Sequence, residues 1–197
     1  MVLLVGLGNP GSRYAGTRHN LGFEVIEVVA RSLNVRFRPG KGDFLLARAE
    51  EHEEEILLAQ PTTFMNDSGS AVAELVEQFS IPLERLLVVC DDFQLPLGAL
   101  RLRKSGSDGG HNGLYSIIYS LQSEQFPRLR VGIASEEMPN DKSLMKDFVL
   151  EVFTKNERTI VADSIRRASE ASLSVVRNGI DATMNAFNQS ANAASST

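Results

Sequence analysis

The chain has 197 residues, 43% hydrophobic and 23% charged, with 20 Lys+Arg against 25 Asp+Glu and a formal net charge of −5. This ordinary globular composition excludes collagen-like and acidic disordered chains, and the length suits one compact domain with its own core. A single cysteine excludes a disulfide framework and a Cys-cluster zinc site, and no apolar run approaches the roughly 18–20 residues of a membrane span.

Val2–Gly6 is a short apolar run closed by glycine and predicts a buried strand. The segment MVLLVGLGNPG has no basic region and no small-residue cleavage site, so it is not read as a signal peptide, and a soluble, reduced, cytoplasmic protein is expected. Residues 8–18 form a Gly/Pro/Ser loop. Asn20 is placed to cap a helix reaching Leu33, with Leu21, Val25, Val28, Val29 and Leu33 as its apolar stripe. Phe44–Ala49 and Ile56–Ala59 predict two strands around Glu50–Glu55, where five glutamates in six residues make a solvated hairpin tip. Asp67 or Ser68 starts a helix that presents Val72, Leu75, Val76 and Phe79 on one face and stops before Pro82.

Leu86–Cys90 predicts a buried strand with Asp91 and Asp92 at its C-terminal end. Leu97–Arg103 alternates apolar and basic residues, as a half-exposed strand does. A Gly-rich loop over 105–113 leads into a helix over Leu114–Leu121, and Arg128–Ala134 is another strand. Residues 135–150 read as loop, followed by helices over Asn156–Arg177 and Asp181–Phe187. The Ser/Ala/Asn-rich stretch Asn188–Thr197 is expected to be a disordered tail. Strands alternating with helices predict a single α/β domain over residues 1–187, with helices on both faces of the sheet. The charged hairpin strands make that sheet mixed rather than purely parallel.

Charge is unevenly spread: residues 10–49 carry net +4, 50–96 net −10 and 97–130 net +3. Two basic blocks in an acidic chain suit a polyanion on one face, against the plainer reading of a mixed solvated surface. Arg101 and Arg103 share a strand face by period-2 spacing, and Arg130 lies on a neighbouring predicted strand. Guanidinium groups match phosphate geometry, but a solvated strand face explains the pattern equally well.

Gly6-Leu7-Gly8-Asn9-Pro10-Gly11 fits the dinucleotide pattern G-x-G-x-x-G after a strand. Its context argues against a nicotinamide cofactor. The third glycine does not open a helix, Pro10 removes an amide, and Glu24 and Glu27 lie on a helix instead of ending a second strand. Of the three histidines, His52 falls in the glutamate run and reads as surface. His19 ends the loop after the first strand, and His111 sits in Gly109-Gly110-His111-Asn112-Gly113. A lone loop histidine is more often structural than catalytic, but a carboxylate beyond a strand end, such as Asp91 or Asp92, can orient one. There is no G-x-S-x-G elbow, and Cys90 closes an apolar run as a core residue would. A His–Asp pair without a side-chain nucleophile points to a base that activates water. No H-x-x-x-H or H-E-x-x-H spacing occurs, so no metal is expected. Asn9, Asn66 and Asn112 sit in loops, where amides can bind peptide groups or an oxyanion, or simply cap helices.

Taken together, VGLGNPGSRYAGTRHNLGF, PTTFMNDSG, VVCDDFQLPLGALRLRKSGSDGGHNGL and FPRLRVGIA resemble bacterial peptidyl-tRNA hydrolases. They span residues 4–134, about two-thirds of the chain, in the family's order. The resemblance implies a three-layer α/β/α fold with a twisted mixed sheet, a monomer without cofactor or metal, and hydrolysis of the ester between peptide and tRNA. It assigns His19 as the general base and Asp91 as its orienter. Asn9 and Asn112 would position water, carbonyl and peptide. Tyr14, Phe64, Met65, Asn66 and His111 would line the substrate site, and Arg103 and Arg130 would clamp the tRNA 5′ phosphate. The chain departs from the family at Cys90, where some members have His or Tyr, at Arg103, where Lys is frequent, and at Ser107-Asp108, which interrupts the glycine run. Relatives in plant organelles act in RNA splicing; the intact His19, Asp91 and Asn112 set and the lack of a transit peptide favour the enzyme.

Overall fold

A computed structural model describes residues 1–139 and 141–188. Strand β1 (Val2–Gly6) is wholly buried because it lies inside a seven-stranded sheet of order β2-β3-β4-β1-β5-β7-β6. The others are β2 (Arg38–Pro39), β3 (Phe44–Glu51), β4 (Glu54–Pro61), β5 (Leu86–Pro96), β6 (Leu100–Arg103) and β7 (Arg128–Ala134). β4, β1, β5 and β7 run parallel, and β3 and β6 flank them antiparallel, so the sheet is mixed. The hairpin between β3 and β4 turns on His52 and Glu53 alone, at φ 51° and 63°, the left-handed pair that matches strand twist.

Successive residues of each strand point to opposite faces. Leu4, Leu58, Leu87, Leu129 and Val131 face helices α1 (Leu21–Ser32), α4 (Met145–Leu150) and α5 (Arg158–Phe187). Leu3, Val5, Leu57 and Val88 face α2 (Ser68–Gln78) and α3 (Asn112–Leu121). α1 ends where Asn34 adopts φ 55°, with the Val35 amide returned to the Ala30 carbonyl at 3.0 Å. The break expected before Asp181 falls at Gly179, whose φ of 78° and ψ of 168° interrupt α5. Asn188 closes that helix, and its amide pairs with both backbone groups of Leu102 on edge strand β6, at 2.8 and 3.0 Å. The tail expectation otherwise falls on residues 189–197, outside the described residues.

Several element bounds differ from expectation: in the glutamate run expected as a hairpin tip, Glu50, Glu51, Glu54 and Glu55 are paired strand residues. β5 does not stop at Cys90; it continues to Pro96, because Asp91 and Asp92 pair in register with Val131 and Gly132 and a bulge follows. β6 begins at Leu100 rather than Leu97, since Gly98 at φ 83° forms a turn. Residues 135–150 are not all loop. α4 buries Phe148 and Val149, and six residues are too few to show a helical period.

The G-x-G-x-x-G segment has a packing reason. A Cβ on Gly6 would lie 2.3 Å from the Gly22 carbonyl oxygen, and one on Gly8 2.7 Å from the Phe23 ring. A Cβ on Gly22 would meet the Val89 carbonyl oxygen at 2.3 Å. These glycines let the first turn of α1 rest directly on the backbone of β1 and β5. α1 starts only at Leu21, so the loop between carries Asn9 through Asn20 across the C-terminal ends of the parallel strands.

Candidate active site

That crossing loop is pinned at both ends. Asn9 donates its amide N–H to Asn20 Oδ1 at 2.8 Å, and Asn20 Nδ2 donates to the Asn9 carbonyl at 2.9 Å. Asn20 therefore does not cap α1 through its side chain, contrary to expectation. Asn9 Oδ1 accepts the Met65 amide at 2.9 Å, which joins the loop to the turn before α2. Between these ties, Arg18, His19 and Asn20 form one buried 3₁₀ turn.

His19 Nδ1 lies 2.9 and 3.1 Å from the two oxygens of Asp91. An acceptor there places the imidazole proton on Nδ1 and leaves Nε2 unprotonated. Burial pulls the His19 pKa down, but the charge and hydrogen bond of Asp91 outweigh it and hold the group above the ordinary 6.5. Asp91 is wholly buried, which alone would push its pKa up, yet the two imidazoles hold it far below the carboxylate range. The second imidazole is His111, whose Nε2 donates to Asp91 Oδ1 at 3.0 Å while Nδ1 accepts the Leu114 amide at 3.2 Å. That amide fixes the tautomer, so Asp91 receives one N–H from each histidine. His19, Asp91 and His111 present metal-ligand atoms within 4.8 Å of one another. Both imidazole nitrogens facing the carboxylate carry its hydrogen bonds, however, and a cation would have to displace them.

A cavity of about 1050 Å3 opens in front of this cluster. Asn9, Tyr14, His19, Phe64, Met65, Asn66, Asp91, His111 and Asn112 all line it. Tyr14 and Phe64 meet edge to face, with centroids 6.4 Å apart. Asn66 sits in the 3₁₀ turn before α2, where the cap position falls to Asp67. Asn112 is the first residue of α3, capped by His111. Sequence reasoning missed Phe93, Met138, Met145 and Leu150 in the same wall. Three of these come from the segment read as loop, and its apolar residues were the available signal. Cys90 stays out of the chemistry, since full burial pushes its thiol well above the usual range. A second cavity of about 760 Å3 lies along the length of α1 and shares Asn9 with the first.

Arg103 and Arg130 lie outside the large cavity. Asp92, on the opposite face of β5 from Asp91, accepts Arg130 Nη1 at 3.2 Å, and the Ser107 carbonyl accepts Nη2 at 2.6 Å. Arg103 is exposed. Cross-strand register sets Arg101 opposite Arg130 and Arg103 opposite Arg128. Arg128 is not on a solvated face. It is 1% exposed, capped by carbonyls of Gly106, Ser107, Glu124 and Phe126, and burial lowers its pKa to about 10. Asp108 accepts the Gly110 amide at 2.7 Å, which ties its charge into the loop.

Among the described residues no helix is long and apolar enough to cross a membrane. A family profile described as peptidyl-tRNA hydrolase matches residues 3–195. Peptidyl-tRNA hydrolases of Chlorobium phaeobacteroides and Finegoldia magna are 46% and 42% identical, covering 96% and 95% of this chain and 98% and 97% of theirs. The crystal structure of peptidyl-tRNA hydrolase from Acinetobacter baumannii matches with a TM-score of 0.89 at 33% identity, covering 95% of this chain and 94% of that one. The similarity runs from β1 through α5 and takes in the whole loop that carries His19, so this chain belongs to the peptidyl-tRNA hydrolase family.

Proposed function

We propose that the chain hydrolyses the ester joining a peptide to the 3′ ribose of tRNA, with His19 as general base. One observation carries the reading: Asp91 occupies Nδ1 of His19, so the basic nitrogen left over is the one available to the cavity. A water on Nε2 gives up its proton as its oxygen attacks the ester carbonyl. The imidazolium, stabilised by Asp91, then returns the proton to the departing ribose oxygen. In this reading Asn112, at the N-terminus of α3, and Asn9 hold the carbonyl and the water. Tyr14, Phe64, Met65, Asn66 and His111 border the space for the peptide. A pocket that hydrogen-bonds a peptide group rejects a free aminoacyl ester, because its polar groups are then left unpaired.

Release of N-acyl-amino acid from N-acyl-aminoacyl-tRNA, with aminoacyl-tRNA as control, tests the activity; no release would overturn it. The pH profile tests the base. The rate should rise with pH through a value above 6.5, because only deprotonated His19 works and Asp91 raises its pKa. Asp91→Asn removes the charge and leaves the burial, so the acidic limb should move to lower pH. Turnover should fall by less than in His19→Ala, because the base remains but its tautomer and orientation are no longer imposed. An unmoved limb would mean that another group titrates.

Arg103 and Arg130 are proposed to hold the tRNA phosphate, with unequal consequences. Arg103→Ala should raise KM for tRNA substrates by about tenfold, one charge-assisted contact, and spare an N-acyl-aminoacyl nucleotide. Arg130 also supports Ser107 and lies against Gly109, two residues from His111. Arg130→Ala should therefore slow both substrates. Equal losses on both substrates for Arg103→Ala would remove it from the clamp.

A further inference from the structure

α3 carries no charged residue. Its inner face is buried through Leu114 and Ile117, as folding requires. Its outer edge is Asn112, Tyr115, Tyr119 and, at the C-cap, Gln122, which follow one another at helical spacing. Tyr115 and Tyr119 are 62% and 69% exposed, and they border a shallow cleft of about 340 Å3. Burial in the core does not account for two large aromatic rings held one turn apart in water.

The two ends of this edge give it a direction. Asn112 opens onto the catalytic cavity. At the other end, the Gly106 amide donates to the Glu124 carbonyl at 3.3 Å, and Arg128 bridges the carbonyls of Gly106 and Glu124. Those contacts fasten the end of α3 to the loop that leaves β6 at Arg103 and Lys104. The stripe thus runs from the ester site toward the basic end of β6. Ten residues of helix span about 15 Å, the length of about four stacked nucleotides.

We propose that Tyr115 and Tyr119 are a stacking platform for the unpaired bases at the 3′ end of the tRNA, next to the esterified ribose. This rests on the hydrolytic function proposed above. Aromatic faces accept any base, so the platform serves tRNAs of every sequence. The helix itself carries no carboxylate, and the one acid bordering the cleft is Glu124, past the last turn of α3.

The test compares Tyr115→Ala/Tyr119→Ala with Tyr115→Phe/Tyr119→Phe on two substrates, N-acyl-aminoacyl-tRNA and an N-acyl-aminoacyl ester of adenosine. The alanine pair should raise KM for the tRNA substrate by about fivefold or more per ring, with kcat on the adenosine ester unchanged and the phenylalanine pair like wild type. Deacylated tRNA should bind the alanine pair more weakly than wild type. tRNA trimmed of its last four nucleotides should bind both equally. Unchanged KM and binding, or an equal loss on the adenosine ester, would overturn the platform. So would a wild-type dimer that the alanine pair abolishes without any effect on tRNA. If wild type hydrolyses neither substrate, the hydrolytic reading fails by itself, while the two tRNA probes still decide the platform.

Discussion

His19→Ala should lower kcat for N-acyl-aminoacyl-tRNA by about 10²–10⁴-fold, the usual worth of a positioned base, while KM and stability stay near wild type. Removing one partner of a buried charge normally leaves the other stranded. Here Asp91 keeps the N–H of His111, held in place by the Leu114 amide. The carboxylate is therefore still hydrogen-bonded in the variant, and the space left by the imidazole opens onto the cavity, where water can fill it. Single-turnover kinetics separate the chemical step from binding, and a denaturant midpoint reports the fold. Turnover within a few-fold of wild type would remove His19 from the mechanism, and a collapse in stability would make the loss uninformative.

Glu157→Ala should destabilise the protein by about 3–5 kcal/mol, the cost of orphaning a buried charge. Arg18 is 1% exposed and donates Nη2 to both Glu157 oxygens, at 2.8 and 3.1 Å, and Nη1 to the Val152 carbonyl at 2.9 Å. Its guanidinium lies 4.3 and 5.1 Å from the Phe148 and Phe153 ring centres. Glu157 also accepts the Thr154 amide and the Ser135 hydroxyl. Burial would raise its pKa, but these partners together with Arg18 hold it below the ordinary 4.5. The stability it contributes is therefore present above about pH 4.5 and lost as pH falls through the folded value. Because Arg18 precedes His19, the same variant should lose turnover before it unfolds. A denaturant midpoint and kcat measured together check this, and an apolar replacement of both partners should restore stability without restoring activity. A cost under 1 kcal/mol for Glu157→Ala would mean that the pair does not tether the loop.

Legibility in the sequence followed the range of the interactions. Continuous apolar runs revealed β1 and the first half of β5, and the stripe on α1 was read to within one residue at each end. Tyr14, Phe64, Met65 and His111 in the large cavity were nominated only through the resemblance of short stretches to a known family, since residues so far apart in the chain show no local pattern that would bring them together. The Arg18–Glu157 pair was invisible, since 139 residues separate its partners and neither sits in a suggestive pattern. Asn20 before a helix invites a capping reading, and only the fold shows that Asn9 claims its side chain. The burial of Arg128 was not legible, because no local pattern predicts that the 105–108 loop and the Glu124 segment will close over it.

Asp91 and Asp92 are neighbours in the chain, yet the pleat of β5 sends one carboxylate to His19 and the other to Arg130. Removing one residue between Leu86 and Asp91 would present Asp92 to the imidazoles and leave the guanidinium without its acid, while adding one would present Asp91 to the guanidinium and leave the imidazoles without theirs. Side chains along this stretch are free to drift within apolar limits, but its length is not. Tolerated insertions and deletions belong instead at places such as the His52-Glu53 turn, where a change in length is absorbed before it reaches the sheet. In a lineage of such proteins β5 would behave as a fixed ruler, with gaps accumulating on either side of it and none within.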